Sequence, residues 1–253
     1  MKLKFKDHFS ENSDEYKTFR PAYPAALFTY LASQSKQHQK AWDCATGTGQ
    51  SAVALSKYYT SVIATDASTT QIENAIITPG VTYQVASAEN SAIEDNSIDL
   101  ITVAQAFHWF NIKAFAKEAN RVLKDKGVLS VWTYSLLSIQ QEIDSEILYL
   151  YKTILDEYWP QERTMVEDGY KNIQLPFKQM STPSFNMSAS WNLFQLLGYL
   201  NTWSATKKYQ AKHDSNPVEH ISNKIADIWG DPNKIYAVKW PLSIRLWQKT
   251  SDV

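Results

Sequence analysis

The segment from residue 41 to residue 50, AWDCATGTGQ, combines an acidic side chain with a glycine-rich turn. Asp43 ends a short apolar run, and Gly47 and Gly49 follow closely in a chain that has only seven glycines among 253 residues. A glycine turn at the end of a strand lets the backbone approach a ligand closely. The segment therefore predicts a ligand-binding turn, and the acid helps to decide which ligand binds there.

Two classes of cofactor dock on such a turn. The stretch from Gly47 to Ala52 satisfies the dinucleotide pattern G-x-G-x-x-G/A, and Asp66 ends the next apolar run, where an acid would bind a ribose. A dinucleotide places its diphosphate at the helix N-terminus, and Asp43 would repel that diphosphate. S-adenosylmethionine has an ammonium and a sulfonium and no phosphate, so Asp43 would attract it. We expect S-adenosylmethionine, with an NAD(P)-dependent oxidoreductase as the alternative.

Both acids also have simpler interpretations that stay open at this point. Asp43 could cap its own loop, which is a common role for aspartate. Asp66 could cap the helix that follows it.

The elements that must position these residues alternate between strands and helices. Short apolar runs predict strands at 40–45, 61–65, 81–85, 97–104 and 127–132, and helical spacing predicts helices at 49–59, 69–77 and 112–124. Strands that alternate with helices form βαβ units and hence a parallel sheet covered on both faces. Gly127 is expected just past the third helix, with Lys124 and Lys126 near the helix C-terminus.

The pattern changes after residue 133. Helices are predicted at 139–157, 190–205 and 217–230, and the alternation in 238–249 predicts an antiparallel edge strand. The predicted fold class is α/β, a Rossmann-like, doubly wound, mostly parallel sheet with an antiparallel C-terminal edge strand and a helical cap. We expect one domain over 1–253: N-terminal cap helices in 1–35, a cofactor-binding core in 36–133, a helical substrate cap in 134–234 and a closing strand in 235–253.

The bulk composition narrows the choice of partners. The net charge is −1, from 25 basic and 26 acidic residues, so no bulk field would recruit a nucleic acid or an anionic membrane. Cys44 is the one cysteine, and the first residues contain no apolar signal-like run, so the cytoplasm is the expected location. His8, His38, His213 and His220 show no metal-ligand spacing with one another or with Cys44, so no metal is expected. The sequence does not indicate an oligomeric state.

Several segments carry a family resemblance. DCATGTG resembles motif I of class I S-adenosylmethionine-dependent methyltransferases, with Ala45 where glycine is most common. VASAENSAIEDNSIDLITVAQAFHWF and RVLKDKGVLSVW resemble the motif II region and the fifth strand of the small-molecule subgroup called type 11. YKTFRPAYPAALFTYL, LLGYLNTWSA and VKWPLSIRLW resemble a branch that includes the trans-aconitate methyltransferase-like proteins. The resemblance implies methyl transfer to a small-molecule acceptor, with S-adenosyl-L-methionine converted to S-adenosyl-L-homocysteine.

The resemblance also implies a set of site residues. The glycine turn would bind the methionine end of the cofactor, and the end of the second strand would bind its ribose. The turn after the third strand would bind its adenine, and the residues after the fourth strand would lie beside its sulfonium. In that order, the implied cofactor residues are Asp43, Ala45, Thr46, Gly47, Gly49 and Gln50; Asp66 and Ala67; Ser87, Ala88 and Glu89; Gln105 and Ala106; and, from the N-terminal segment, Tyr16. The implied acceptor-side residues are Arg20, Tyr23, Phe107, His108, Trp109 and Trp203.

The expected reaction is an in-line displacement in which alignment and exclusion of water supply most of the rate, so no obligatory catalytic residue is required. His108 is the candidate general base if the acceptor is a hydroxyl or an amine. A carboxylate acceptor needs no base, and Arg20 is then a candidate bidentate anchor. A non-catalytic S-adenosylmethionine-binding protein is a further alternative.

Overall fold

A computed structural model describes residues 21–250, and an eight-stranded mixed sheet organises them. The strands are β1 Lys40–Cys44, β2 Ser61–Asp66, β3 Val81–Val85, β4 Ile98–Ala104, β5 Leu123–Tyr134, β6 Lys178–Met180, β7 Phe185–Trp191 and β8 Tyr236–Gln248. Their order is β3-β2-β1-β4-β5-β8-β6, and β7 also pairs with β8. Strands β1 to β5 are parallel, whereas β8 is antiparallel to β5, β6 and β7. The predicted fold class is confirmed, but β8 is not itself the edge strand, because β6 and β7 pair with the side of β8 that faces away from β5.

Helices connect these strands and cover the sheet. They are α1 Ala25–Gln34, α2 Gln50–Leu55, α3 Thr69–Glu73, α4 Ile112–Val122, α5 Gln141–Tyr149, α6 Arg163–Glu167, α7 Leu193–Asn201, α8 Ser204–His213 and α9 Glu219–Trp229. A 3-10 turn covers Phe107–Trp109, and a π-helical turn at Leu150–Ile154 continues α5. No helix within residues 21–250 combines the length and the apolar character needed to cross a lipid bilayer.

Burial explains why the central strands read as continuous apolar runs. The first six residues of β4 are all buried, because helices cover both faces of the parallel part of the sheet. Strand β8 instead alternates, with Val238, Trp240 and Leu246 buried and Lys239 exposed. The large side chains Trp42 and Trp132 are fully buried at the middle of the sheet, in two separate apolar clusters.

The structure corrects the predicted boundary between the third helix and the fifth strand. Helix α4 ends at Val122, and β5 begins at Leu123, so Lys124 and Lys126 lie in the strand and not at a helix C-terminus. Lys124 forms an ion pair of 2.7 Å with the buried Asp99. A Cβ at Gly127 would lie 2.8 Å from the carbonyl oxygen of Lys124, so this glycine permits close backbone packing and is not a helix stop.

The helix predicted at 190–205 is also wrong in its bounds. Trp191 belongs to β7, and Asn192 begins α7 with a capping box, in which its side chain accepts the Gln195 N–H. Trp203 precedes a separate helix, α8. The helix predicted at 139–157 is divided among α5, the π-helical turn and a short 3-10 turn at Asp156–Tyr158. The helices at 49–59 and 69–77 are shorter than predicted, ending at Leu55 and Glu73.

Candidate active site

The carboxyl ends of the parallel strands form one edge of the sheet, and the predicted cofactor residues follow those ends. The strand order reverses beside β1, which pairs with β2 on one side and β4 on the other. Ligands of open α/β sheets bind at such a reversal, outside the carboxyl ends of the strands. Asp43 and Asp66 lie near the ends of β1 and β2, Ser87 follows β3, and Gln105 follows β4. The topology therefore brings these four residues to one edge.

The glycine turn between β1 and α2 depends on left-handed backbone. Gly47 has φ +58° and Gly49 has φ +94°, a region that favours glycine. Ala45 also has a positive φ, +55°, so this alanine occupies a conformation that most side chains avoid. A Cβ at Gly49 would lie 2.2 Å from Tyr83 Oη, whose hydroxyl donates to the Ile76 carbonyl. Position 49 therefore tolerates glycine alone without a shift of Tyr83.

Asp43 is buried beneath this turn. Its carboxylate accepts a hydrogen bond of 2.7 Å from Thr102 Oγ1 and one of 2.5 Å from Thr46 Oγ1. Burial raises its pKa to about 6, and the two hydroxyl hydrogen bonds oppose that rise. The carboxylate is ionised at neutral pH and holds the loop together, so Asp43 caps its own loop and also places a negative charge under the turn.

Asp66 is held by backbone N–H groups on both of its oxygens. Its Oδ2 accepts from Gly47 N at 2.9 Å, and its Oδ1 accepts from Ser68 N at 2.9 Å. The residue that caps helix α3 is Ser68, whose side chain accepts the Gln71 N–H. Asp66 is half-buried, so its carboxylate is both fixed and accessible at the end of β2.

The turn after β3 has a structural contact of its own. Ala88 is buried, Ser87 is exposed, and Glu89 Oε1 accepts a hydrogen bond of 2.9 Å from the backbone N–H of Asn111, which begins helix α4. Glu89 therefore ties the loop after β3 to the loop after β4. Ala67 is half-buried beside Asp66.

After β4, a polar network surrounds Gln105 and His108. Gln105 has φ +56°, and its Oε1 accepts a hydrogen bond of 2.6 Å from Thr133 Oγ1. His108 Nδ1 lies 2.9 Å from Tyr170 Oη, and Tyr170 is almost fully buried. Burial, helped by the positive charge of Arg163, lowers the pKa of His108 to about 4. Its imidazole is therefore neutral at physiological pH, and it is a weaker base than the near-neutral pKa expected from the sequence.

The residues around His108 differ in exposure. Phe107 is fully buried and packs on Phe115 and Tyr170, with ring centroids 5.6 Å away in both cases, so it supports the turn from the core side. Ala106 and Trp109 are half-buried, and the Trp109 ring centroid lies 4.7 Å from that of His108.

The remaining predicted residues either have other contacts or lie outside the described residues. Tyr23 packs edge-on against Trp132, at 5.4 Å between ring centroids, and Trp132 pairs in register with Ala104 at the end of β4. Gln50 Nε2 donates to the Pro21 carbonyl. Trp203 is buried in the cap, where its ring contacts those of Tyr151, Trp159 and Tyr199. Tyr16 and Arg20 fall outside residues 21–250.

Four residues of the site were missed by sequence reasoning. Thr102, a polar residue inside the apolar run of β4, had a visible signal. Thr133, Arg163 and Tyr170 had none, because only tertiary contacts bring them to the ends of β1 and β4. No cluster of three or more histidine, cysteine, aspartate or glutamate side chains suited to a metal ion occurs within 21–250.

The arrangement fits a cationic, hydroxyl-bearing ligand. Two carboxylates, Asp43 and Asp66, lie near the ends of neighbouring strands, and both contact the glycine turn, Asp43 through Thr46 Oγ1 and Asp66 through the Gly47 N–H. A diphosphate would meet two negative charges at this position, whereas a sulfonium and an ammonium would be attracted.

Comparison with known proteins agrees with this geometry. Residues 42–131 match the model of a family described as "Methyltransferase domain". A methyltransferase of Dictyostelium discoideum is 33% identical over 254 residues, covering 97% of this chain and 96% of that protein. An S-adenosylmethionine-dependent methyltransferase of Saccharomyces cerevisiae is 23% identical, covering 86% of this chain and 85% of that protein. The solved structure of a type II methyltransferase from Anaeromyxobacter dehalogenans superposes with a TM-score of 0.86 at 35% identity, covering 91% and 98% of the two chains.

The fold, the carboxylates and the relatives define one class. The chain belongs to the class I S-adenosylmethionine-dependent methyltransferases. Its cofactor is S-adenosylmethionine, so the dinucleotide alternative for the glycine turn is set aside.

Proposed function

We propose that this methyltransferase transfers the methyl group to a carboxylate of a small-molecule acceptor, as its sequence resemblance to the trans-aconitate methyltransferase-like branch suggests. The observation that carries the proposal is the electrostatic state of the acceptor side. Because its pKa is lowered to about 4, His108 is a weak base, and Arg163 supplies a positive charge close to it. A carboxylate is already ionised and needs no base, whereas an amine or a hydroxyl acceptor needs its proton removed.

The chain's own residues then bind and align the two reactants. Bound S-adenosylmethionine supplies a methyl group already activated by its sulfonium. Asp43 places a negative charge beneath the glycine turn, and Asp66 presents a fixed carboxylate for the ribose hydroxyls. Gln105, fixed by Thr133, and Ala106 would flank the sulfonium at the end of β4. Alignment of this kind is worth about 7–11 kcal/mol in favourable cases.

The neutral imidazole has a positioning role in this scheme. Tyr170 fixes the His108 ring through the 2.9 Å contact between Oη and Nδ1, and the ring is half-buried. We propose that His108 shapes the acceptor side and does not take up a proton during transfer. We also propose that the acceptor is free in solution and is neither a nucleic acid nor a membrane lipid, which agrees with the net charge of −1.

The test is incorporation of label from S-adenosylmethionine that is tritiated in the methyl group. Purified protein is incubated with carboxylic acids and, as matched controls, with the corresponding primary amides, alcohols and amines. We expect label in carboxylic acids alone, released as volatile methanol by mild alkali because methyl esters hydrolyse there. Alkali-stable label in amines or alcohols would contradict the proposal. Tight binding of S-adenosylhomocysteine with no labelled product would favour the non-catalytic binding protein.

A further inference from the structure

A guanidinium lies on the acceptor side of the site and is held in place by aromatic side chains. Arg163 is the first residue of α6, and α6 contacts the Phe107–Trp109 turn that follows β4. Arg163 Nε donates a hydrogen bond of 2.5 Å to Tyr151 Oη. Its Cζ lies 4.7 Å from the ring centroid of Trp159 and 5.2 Å from that of Tyr151. These contacts fix the guanidinium and remove much of the freedom that a long side chain would lose on binding a ligand.

The charge of Arg163 has no carboxylate partner within residues 21–250. Glu167, whose pKa is lowered in part by the charge of Arg163, accepts a hydrogen bond from Tyr151 Oη and forms an ion pair of 2.9 Å with Lys152. Arg121, in contrast, is paired with both Glu118 and Asp95. Glu167 thus compensates the Arg163 charge only through Tyr151, and no described carboxylate contacts the guanidinium directly, so an anionic ligand can make that contact.

The geometry also leaves the Nη1 and Nη2 groups of the guanidinium available to a ligand. Of its five N–H donors, the Nε–H is used by Tyr151, and the described residues offer no acceptor to the Nη1 and Nη2 groups. Those two groups form the planar fork that binds a carboxylate or a similar anion through two hydrogen bonds. The rings of Trp159 and Tyr151 line this fork, so the connecting part of a ligand beside it would meet apolar surface.

We propose that Arg163 is a specificity-determining residue that binds a second anionic group of the acceptor, distinct from the carboxylate that receives the methyl group. This inference rests on the proposed carboxylate methylation. Hydrogen bonds from a guanidinium stabilise the negative charge of a carboxylate and make its oxygens poorer nucleophiles, so the clamped group is the one that does not react. The acceptor is therefore a compound with two carboxylates separated by a short, partly apolar connector.

The chemistry at the other carboxylate balances without a further reactant. An oxygen lone pair of the reacting carboxylate forms the bond to the methyl carbon. The methyl–sulfur bond breaks with its electron pair on sulfur, and no proton is released. The clamped carboxylate keeps its charge, and the product is a monomethyl ester that is still held by Arg163.

The experiment compares dicarboxylic acids with their monoamides, which lose the second charge but keep the length. The series from succinate to suberate is assayed by methyl label with the wild type, Arg163→Gln, Arg163→Lys and the control Lys178→Gln, which removes an exposed cation of β6. We expect Arg163→Gln to lower kcat/KM for the best dicarboxylate about 10- to 100-fold, the range of charge-assisted hydrogen bonds. For the monoamide, kcat/KM should change less than about threefold in Arg163→Gln. For the dicarboxylate, kcat/KM of Arg163→Lys should lie between the values of the wild type and Arg163→Gln.

Binding measurements separate the two proposals and report on folding. Calorimetric titration of each variant with S-adenosylhomocysteine should give the wild-type affinity, which shows an intact fold. The dicarboxylate is then titrated into the S-adenosylhomocysteine complex. Binding to wild type and control that is lost in Arg163→Gln supports the anion subsite even if no ester forms, in which case only the proposed reaction fails. Equal use of dicarboxylate and monoamide by the wild type, or unchanged kinetics and binding in Arg163→Gln, would overturn the subsite.

Discussion

The proposed donor and acceptor sides of the site carry opposite charge. On the donor side, Asp43 and Asp66 lie near the ends of β1 and β2 and present carboxylates beside the glycine turn. On the acceptor side, beyond β4, His108 is neutral and Arg163 brings a guanidinium without a carboxylate partner among the described residues. A cationic donor and an anionic acceptor would each be drawn to its own side. The fold can therefore sort its two reactants by charge before any contact specific to either one forms.

The two sides also differ in how their residues are fixed. Donor-side geometry is set by backbone conformation over a few consecutive residues, including the positive φ of Ala45, Gly47 and Gly49. Acceptor-side geometry is set by side-chain contacts between distant segments, such as that between His108 and Tyr170, 62 positions apart. Backbone changes should therefore disrupt the donor side, whereas single side-chain changes should adjust the acceptor side.

The largest effect is expected from Gly49→Ala, which tests the backbone control of the donor side. The new Cβ would meet Tyr83 Oη at 2.2 Å in a backbone with φ +94°. We expect the Kd for S-adenosylhomocysteine, measured by calorimetry, to rise more than about 100-fold, because the turn must shift as well as carry left-handed strain of ~1–2 kcal/mol.

Gly230→Ala is the matched control for this change. Gly230 also has a positive φ, +77°, but a Cβ there would meet nothing within 4 Å. With ψ −110° beside this positive φ, Gly230 adopts a conformation that favours glycine, so alanine there should lower the melting temperature through backbone strain and leave the Kd unchanged. A Gly49→Ala protein that binds as tightly as the Gly230→Ala protein would show that the turn does not approach the cofactor.

Asp66→Asn should have the next largest effect, and it tests whether this acid acts through hydrogen bonds. Its proposed partners are the neutral ribose hydroxyls, which S-adenosylmethionine and S-adenosylhomocysteine share. We expect both affinities to fall about 10- to 100-fold, the range for losing hydrogen bonds to a charged group. The two ligands should be affected equally in parallel titrations, and a loss confined to S-adenosylmethionine would point to a charge effect instead.

The same difference in how the two sides are fixed explains how much the sequence could predict. Asp43, Gly47, Gly49 and Asp66 were predicted because strand, turn and acid are adjacent in the chain. The parallel sheet followed from the alternation of strands and helices. These features are local, and local patterns are what periodicity and turn chemistry can reveal.

The acceptor side could not be predicted in this way. Tyr170 and Arg163 lie in an irregular stretch between α5 and β6 with no periodic pattern. Strand β7 was missed because its exposed positions include small polar residues that resemble a loop, and Asn192 at its end is the cap of α7. The contact between Thr133 and Gln105 could not be predicted, because it depends on the register of β5 against β4.

Asp43→Asn sharpens the comparison by removing charge from the donor side with little change of shape. Loss of the attraction between this carboxylate and the sulfonium charge should cost about tenfold in affinity, the order expected for two charges that interact at an effective dielectric of about 20. We expect the preference for S-adenosylmethionine over S-adenosylhomocysteine to fall by about that factor, because only the former has a sulfonium charge.

The pH dependence gives an independent check on Asp43. Burial raises its pKa to about 6, so the carboxylate is charged above that pH and protonated below it. The wild-type preference for S-adenosylmethionine should therefore decline as the pH falls through about 6, and the Asp43→Asn protein should show no such decline. A preference that is independent of pH in both proteins would mean that Asp43 acts only as a cap for its loop.

The smallest effect is expected from His108→Asn, and it tests the neutral character of the acceptor side. Because the pKa of His108 is lowered to about 4, its protonation state does not change near neutral pH. With a carboxylate acceptor, kcat should fall less than about threefold and show no titration near the ordinary histidine pKa of about 6.5. Tyr170→Phe, which removes the hydroxyl at Nδ1, is the companion variant and should behave similarly. A wild-type rate that rises with an apparent pKa near that ordinary value, and a rise that disappears in His108→Asn, would make the imidazole a general base. The acceptor would then carry a proton to be removed, and the charge contrast between the two sides would no longer decide which group is methylated.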